Sequence, residues 1–225
     1  ATTSLSCGGP ATFPHRYEAG KRQLTETFGL EVVETCHALR DEKWLARNPQ
    51  ARAEDLMEAF ADPSIQGVIS TIGGVDSIRL LPFIDGDVIR SNPKIFLGYS
   101  DTTVSHWACF NAGLVSFYGP AIMSGFAENG GIRPYTIEAV KRALFNPEPI
   151  GLLEASRDGW SDEFVDWADT ATQAKKRSVH PPLPWRFLQG SGTSTGHLLG
   201  GCLEVIEFLR GTSAWPDPSR WDGAV

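Results

Sequence analysis

Lys94-Ile95-Phe96-Leu97-Gly98-Tyr99-Ser100-Asp101-Thr102-Thr103 is the stretch that decides the fold of this chain. Its apolar run suits a buried strand that ends at Gly98, and a stretch with helical periodicity follows the two threonines. A serine on such a strand-to-helix turn is held clear of the sheet, and N–H groups at the start of the helix point near its oxygen. Ser100 is therefore a candidate nucleophile. The alternative is that Ser100 or Asp101 only caps the helix.

A second glycine turn follows the strand predicted at residues 67–72. Gly73 and Gly74 stand at its carboxyl end, where paired glycines let the backbone approach a ligand closely and expose N–H groups. Ligands of open parallel sheets bind at this edge, so the turn offers donors for an oxyanion near the Ser100 turn. A plain tight turn is the alternative.

Strand and helix signals alternate through the first 149 residues, which favours a parallel α/β sheet. Besides the strand before Ser100, strands are expected near 30–33, 67–72 and 114–117. Helices are expected near 16–28 and 135–144, and another begins after Asn48 as a capping residue before a first-turn proline. Residues 150–189 carry three tryptophans, many charges and no clear period, which indicates a long connection.

The composition is that of an ordinary globular protein. Charged residues make up 21% of the chain and hydrophobic residues 41%. The formal net charge of −7 argues against nucleic acid or an anionic membrane surface as a partner. The four scattered cysteines form no metal-ligand pair, so we expect reduced, mostly buried thiols in a cytoplasmic protein, with no metal and no cofactor.

Several motifs in order along the chain resemble one enzyme family. They are STIGG at 70–74, LLPFID at 80–85, NPK at 92–94, GYSDTT at 98–103, FYGP at 117–120, GGCLE at 200–204, GT at 211–212 and WP at 215–216. Together these motifs are similar to those of the S66 serine peptidases, which include the murein LD-carboxypeptidases and the microcin C immunity peptidases. The resemblance spans nearly the whole chain and is closest to the microcin C immunity branch.

The resemblance implies a fold and a division of the chain. The expected fold class is α/β, with a flavodoxin-like parallel sheet in an N-terminal domain at 1–149. A connecting loop at 150–189 would lead to the start of a smaller, mainly β C-terminal domain at 190–225. We also expect a homodimer. The implied substrate is a small peptide or a peptidyl-nucleotide.

The resemblance also implies roles for single residues. Ser100 would attack a carbonyl next to a carboxylate or an acyl-nucleotide group, and the N–H groups of Gly74 and Asp101 would hold the oxyanion. Gly73, Trp167 and Glu204 would contact the substrate, with Trp167 stacking on its nucleotide part. The immunity branch often has asparagine where this chain has Glu204, and an ionised carboxylate cannot donate hydrogen bonds.

The catalytic base is the difficult point. In the family, a histidine takes the serine's proton and a glutamate orients that histidine. Both residues lie further along the family's sequence than the position that corresponds to Val225. The five histidines of this chain suit surface or packing positions. Both ends resemble interrupted strands, so we expect a piece of a longer protein that is inactive by itself.

Four alternatives stay open at this stage. The protein could be a murein tetrapeptide LD-carboxypeptidase, which needs no base-stacking tryptophan, or a non-catalytic binding module that keeps the pocket. Trp167 could simply anchor the loop, and Glu204 could be a solvated residue in the first turn of a helix.

Overall fold

The computed structural model describes residues 1–190 and 192–225. Its centre is a parallel sheet of four strands in the order β1-β2-β3-β4. The strands are β1 (Thr2–Thr3), β2 (Gly67–Ser70), β3 (Ile95–Gly98) and β4 (Phe117–Tyr118). The α-helices are α1 (Gly9–Thr12), α2 (Pro14–Phe28), α3 (Glu42–Arg47), α4 (Pro49–Ala61), α5 (Gly86–Ser91), α6 (Thr103–Ala112), α7 (Pro134–Leu144) and α8 (Leu203–Leu209).

One further residue extends the sheet on the outer side of β1. Glu34 forms a parallel bridge with Thr2, and the backbones of Val33 and Thr35 hydrogen-bond with Thr2 on either side. With this segment counted as the second strand along the chain, the strand order becomes 2-1-3-4-5, the flavodoxin-like order. The prediction of an α/β, flavodoxin-like sheet is confirmed.

Two apolar layers cover the sheet, because successive side chains of a strand point to opposite faces. Val68 and Phe96 pack on one face with Leu56 and Phe60 of α4. On the other face, Leu97 belongs to a cluster that includes buried residues of α2, α7 and the loop after β4: Tyr17, Leu24, Ile122, Met123, Phe126 and Val140. The sheet is thus packed between apolar layers on both of its faces.

Some local expectations need correction. The strand expected at 30–33 is reduced to the bridge at Glu34, since β1 offers only two residues for pairing. The strand expected at 114–117 lies at Phe117–Tyr118. Asn48 precedes α4 as expected, but its side chain donates to Trp44 O at 2.7 Å instead of capping the helix.

The cysteines also differ from expectation. All four are free, but only Cys109 is buried, while Cys36 is exposed and Cys7 and Cys202 are half-buried. The expectation of mostly buried thiols is therefore wrong. Within the described residues, no helix has the length and apolar character needed to cross a bilayer.

The C-terminal part of the chain packs against α6. Val205 and Leu209 of α8 lie in one cluster with Val104 and Trp107. The described residues of 190–225, from which Ser191 is excluded, contain α8 and a parallel bridge between His197 and Ala224. The division into units at 1–149, 150–189 and 190–225 stays a prediction, as does the mainly β character of the last.

Candidate active site

Ser100 stands at the junction between β3 and α6. Its φ is +60°, the one positive φ of a non-glycine residue among the described residues. Such a conformation costs on the order of 1–3 kcal/mol and persists only where neighbours hold it. Two bonds do so here: the Ser100 N–H donates to Tyr118 Oη at 2.9 Å, and Thr103 Oγ1 donates to Ser100 O at 2.6 Å.

Neither Ser100 nor Asp101 acts as a helix cap. The short 3₁₀ turn Ser100–Thr102 and the helix α6 that follows both begin without a side-chain capping bond. The Asp101 carboxylate instead accepts from the backbone N–H of Ser77 at 2.9 Å, and Ser77 Oγ donates to Asp101 O at 2.6 Å. The capping alternative is therefore wrong, and Asp101 ties the residues after the glycine turn to the Ser100 turn.

Gly73 faces Ser100 at close range. A Cβ built on Gly73 would lie 3.2 Å from Ser100 Oγ and 3.4 Å from the backbone N of Asp101. Gly74 faces the other way, since a Cβ there would lie 2.1 Å from Ser6 Oγ. A side chain at Gly74 would clash with Ser6, and one at Gly73 would crowd Ser100, which explains the paired glycines. Four of the predicted site residues, Gly73, Gly74, Ser100 and Asp101, come together at this edge of the sheet.

A cavity of about 540 Å³ opens beside this turn. Tyr118, which holds the Ser100 N–H, is part of its wall. The other lining residues are Arg16, Tyr99, Gly119, Pro120, Ser124, Gly125, Glu128, Asn129, Glu163, Phe164, Val165, Trp167 and Arg177. The cavity is of a size that binds small molecules.

Trp167 both anchors its loop and lines the cavity. The guanidinium carbon of Arg16 lies 4.2 Å from the centre of the Trp167 ring, and Phe13 meets it edge-on at 5.8 Å. Arg16 is itself buried and donates to Met123 O at 2.8 Å and to Asn129 Oδ1 at 2.9 Å. Burial lowers the pKa of Arg16 to about 10, so it stays charged at neutral pH.

A second arginine fastens the same loop. Arg177 donates to both carboxylate oxygens of Glu128 at 2.9 and 2.8 Å, and these bonds raise the pKa of Arg177. Bidentate pairs of this kind fix geometry as well as charge. The loop at 150–189 is therefore attached, through Arg177 and Glu128, to the segment that follows β4.

Glu204 lies apart from this cavity. It is exposed in the first turn of α8, where bonds from the Cys202 thiol and from its own backbone N–H lower its pKa. Its link to the Ser100 turn is indirect: Cys202 N donates to Thr103 Oγ1 at 3.0 Å.

None of the five histidines hydrogen-bonds Ser100 within the described residues. His106 is buried, with Nε2 at 2.9 Å from Gly98 O and Nδ1 at 2.8 Å from Ser116 Oγ, so neither ring nitrogen is free. His37, His180 and His197 make contacts elsewhere, to Asp55, Asp162 and Arg220 O. Burial lowers the pKa of His106 to about 4.

The buried His106 predicts how stability depends on pH. Between pH 6.5 and about 4, the unfolded chain binds a proton at His106 that the folded chain does not, so stability falls as pH drops through this window. The loss amounts to about 3 kcal/mol. Urea unfolding at pH 7 and at pH 4.5 should show a smaller pH dependence for His106→Gln than for wild type. Equal dependences would contradict the prediction.

Sequence reasoning missed several residues that shape the site. Ser6 comes directly after β1. Because parallel strands end at the same edge of a sheet, the strand order alone indicates that Ser6 lies near the glycine turn. Arg52 lies four residues before Leu56, on the face of α4 that turns out to be buried, and an arginine there is unusual. Tyr118 stands in the FYGP motif, but nothing local indicates that it holds the Ser100 N–H.

Comparisons with known proteins show which family this chain belongs to. The model of the LD-carboxypeptidase N-terminal domain, Peptidase_S66, matches residues 1–119. The microcin C7 self-immunity protein MccF of Escherichia coli is 33% identical over 215 residues, covering 95% of this chain and 61% of that protein. The chain spans about 60% of the length of the first curated relatives that it matches.

Solved structures give the same picture. An MccF-like protein of Streptococcus pneumoniae in complex with AMP superimposes with a TM-score of 0.86 at 32% identity, covering 99% of this chain and 69% of that one. MccF in complex with aspartyl sulfamoyl adenosine gives a TM-score of 0.78 at 29% identity, covering 96% and 64%. With the family model matching more than half of its residues, the chain belongs to the S66 peptidase family, and its resemblance is to the MccF branch.

Proposed function

We propose that the protein containing this chain is a serine carboxypeptidase that hydrolyses an amide bond near a carboxylate or an acyl-nucleotide group. The observation that carries this proposal is the conformation of Ser100. A strained serine between a strand and a helix, with its hydroxyl facing a glycine turn, is the arrangement of an exposed nucleophile.

Ser100 Oγ attacks the carbonyl carbon, and the backbone N–H groups of Gly74 and Asp101 stabilise the oxyanion that forms. The N–H of Gly74 makes no hydrogen bond to any described residue, so it is free for this role. The general base is a histidine oriented by a glutamate, from the part of the relatives' length that this chain does not span. Residues 1–225 alone are then inactive, since general-base help is worth ~10²–10⁴-fold in rate.

The substrate class follows from the cavity and from the relatives. Structures of an MccF-like protein with AMP and of MccF with aspartyl sulfamoyl adenosine support a substrate with a nucleotide part. We propose that Trp167 stacks on that part, that Gly73 contacts the scissile group, and that Glu204 contacts the substrate from α8. We also propose that the protein is cytoplasmic and forms a homodimer. Sedimentation velocity can test whether it is a dimer.

Labelling with a serine-reactive phosphonate tests the proposed nucleophile. We expect the full-length protein to be labelled at Ser100, as located by peptide mass spectrometry, and to hydrolyse an amide substrate. Residues 1–225 alone should be labelled far more slowly. Labelling at another serine would contradict the role of Ser100, and equal rates in both forms would contradict a base outside residues 1–225.

Replacement of Trp167 should separate the two kinds of substrate. Loss of base stacking, worth roughly 1–3 kcal/mol, should lower kcat/KM for an acyl-adenylate amide by about 5- to 150-fold in Trp167→Ala. A simple peptide ending in a D-amino acid should lose much less. Trp185→Ala is the matched control, because Trp185 is exposed, lies outside the cavity and bonds, among the described residues, only to Leu153 O. Equal losses on both substrates would favour an anchoring tryptophan or murein-peptide specificity.

A further inference from the structure

A buried polar network lies beneath the glycine turn and has no part in the chemistry proposed above. Ser6 is buried just after β1, and its Oγ accepts from the backbone N–H groups of Val75 at 3.0 Å and Asp76 at 3.3 Å. The same hydroxyl lies 3.4 Å from Asp76 Oδ1, to which it donates. One hydroxyl therefore joins three groups of the segment that follows Gly74.

Arg52 lies below this hydroxyl. Its side chain has no exposed surface, and Nη1 donates to Leu5 O at 3.0 Å, Ser6 O at 3.2 Å and Asp76 Oδ1 at 2.8 Å. Nη2 reaches Asp76 Oδ2 at 3.3 Å, while the buried Nε has no partner among the described residues. Burying a guanidinium in this way is unfavourable unless its partners are well placed. Arg52 thus binds the backbone after β1 to the carboxylate after the glycine turn.

The network reaches Ser100 through direct contacts. Ser6 Oγ lies close to Gly74, on the side away from Ser100, and a Cβ added to Gly74 would be 2.1 Å from this oxygen. On the outer side, Gly73 packs against Ser100 Cβ and Oγ, at 3.1 and 3.2 Å from an added Cβ. Ser6, the turn and Ser100 are thus in close succession, and a misplacement of 1 Å at a reacting centre can cost roughly 10²-fold in rate.

We infer that Arg52 and Ser6 are positioning residues that hold the Gly73–Gly74 turn at the distance from Ser100 that oxyanion stabilisation needs. The inference rests on the proposed function. Neither Arg52 nor Ser6 lines the substrate-binding cavity, so neither is expected to contact the substrate. Loss of either residue should therefore lower kcat and leave KM nearly unchanged.

The test uses the full-length protein and an amide substrate that the wild type hydrolyses. We expect Ser6→Ala and Arg52→Met to lower kcat by about 10- to 100-fold with KM within threefold, and Arg52→Lys to recover part of the loss. Asp55→Asn is the matched control. Asp55 is buried on the same helix but bonds to Thr35 and His37, away from the turn, so its kcat should stay within about threefold.

Hydrogen exchange supplies a readout that does not depend on catalysis. The amides of Val75 and Asp76 should exchange at least about tenfold faster in Ser6→Ala and in Arg52→Met than in wild type or Asp55→Asn, because they lose their acceptor or its support. Unchanged exchange at these amides, or kcat values equal to that of the control, would overturn the inference. A wild type that neither hydrolyses amides nor reacts with a phosphonate at Ser100 would overturn the proposed function instead, and the exchange result would still decide whether Arg52 and Ser6 hold the turn.

Discussion

Replacing Ser100 by alanine in the full-length protein should abolish nearly all amide hydrolysis. Loss of the nucleophile of a serine hydrolase costs roughly 10⁴- to 10⁶-fold in kcat, and the remainder comes from the oxyanion donors and substrate binding. KM should change little, because the bond that Ser100 Oγ forms to the carbonyl carbon stabilises the transition state and adds little to ground-state binding. Steady-state kinetics on an acyl-adenylate amide measure both quantities.

Two companion variants separate the loss of the hydroxyl from other effects. Ser105→Ala removes a buried hydroxyl on α6 that has no partner among the described residues, so its activity should stay near that of wild type. Ser100→Gly should be as inactive as Ser100→Ala yet more stable than it, because glycine adopts a φ of +60° without strain. Substantial hydrolysis by Ser100→Ala would rule out Ser100 as the nucleophile.

The parts of this fold that sequence could predict are those fixed by neighbouring residues. The apolar run before Gly98 and the helical period after Thr103 define the strand, the turn and the helix locally. This local pattern alone indicates that Ser100, between the strand and the helix, stands on a turn at the end of the sheet. The same holds for Gly73 and Gly74, since a strand ends three residues earlier, at Ser70.

The remaining features depend on contacts between distant parts of the chain. Ser6 lies 69 positions before Val75, to which it bonds, and Ser100 is 18 positions from the tyrosine that holds its N–H. Periodicity places Arg52 on the buried face of α4, but it cannot indicate that Asp76 is the partner. In the same way, Trp167 is notable in the sequence, while its position against Arg16 depends on how the whole loop folds back.

Replacing Gly74 by alanine should disable the enzyme almost as severely as losing an oxyanion donor. The new Cβ would lie 2.1 Å from Ser6 Oγ, 2.7 Å from Ser6 Cβ and 3.1 Å from the backbone N of Cys7. Real Cβ atoms do not approach other atoms so closely, so the turn has to move away from Ser6 and carry the Gly74 N–H with it. Removal of one donor costs about 10²–10³-fold in kcat, and a displacement of about 1 Å costs roughly 10²-fold.

The measurement compares Gly74→Ala with Gly86→Ala in the full-length protein. Gly86 begins α5, and its added Cβ would meet only Ala112 Cβ at 4.0 Å, an ordinary contact, so this variant should keep both its activity and its fold. In Gly74→Ala we expect kcat to fall by about 100-fold while phosphonate labelling still occurs at Ser100, only more slowly, since the nucleophile itself is intact. A kcat close to that of Gly86→Ala would mean that activity does not depend on the position of this turn. That result would contradict the role of the Gly74 N–H as an oxyanion donor.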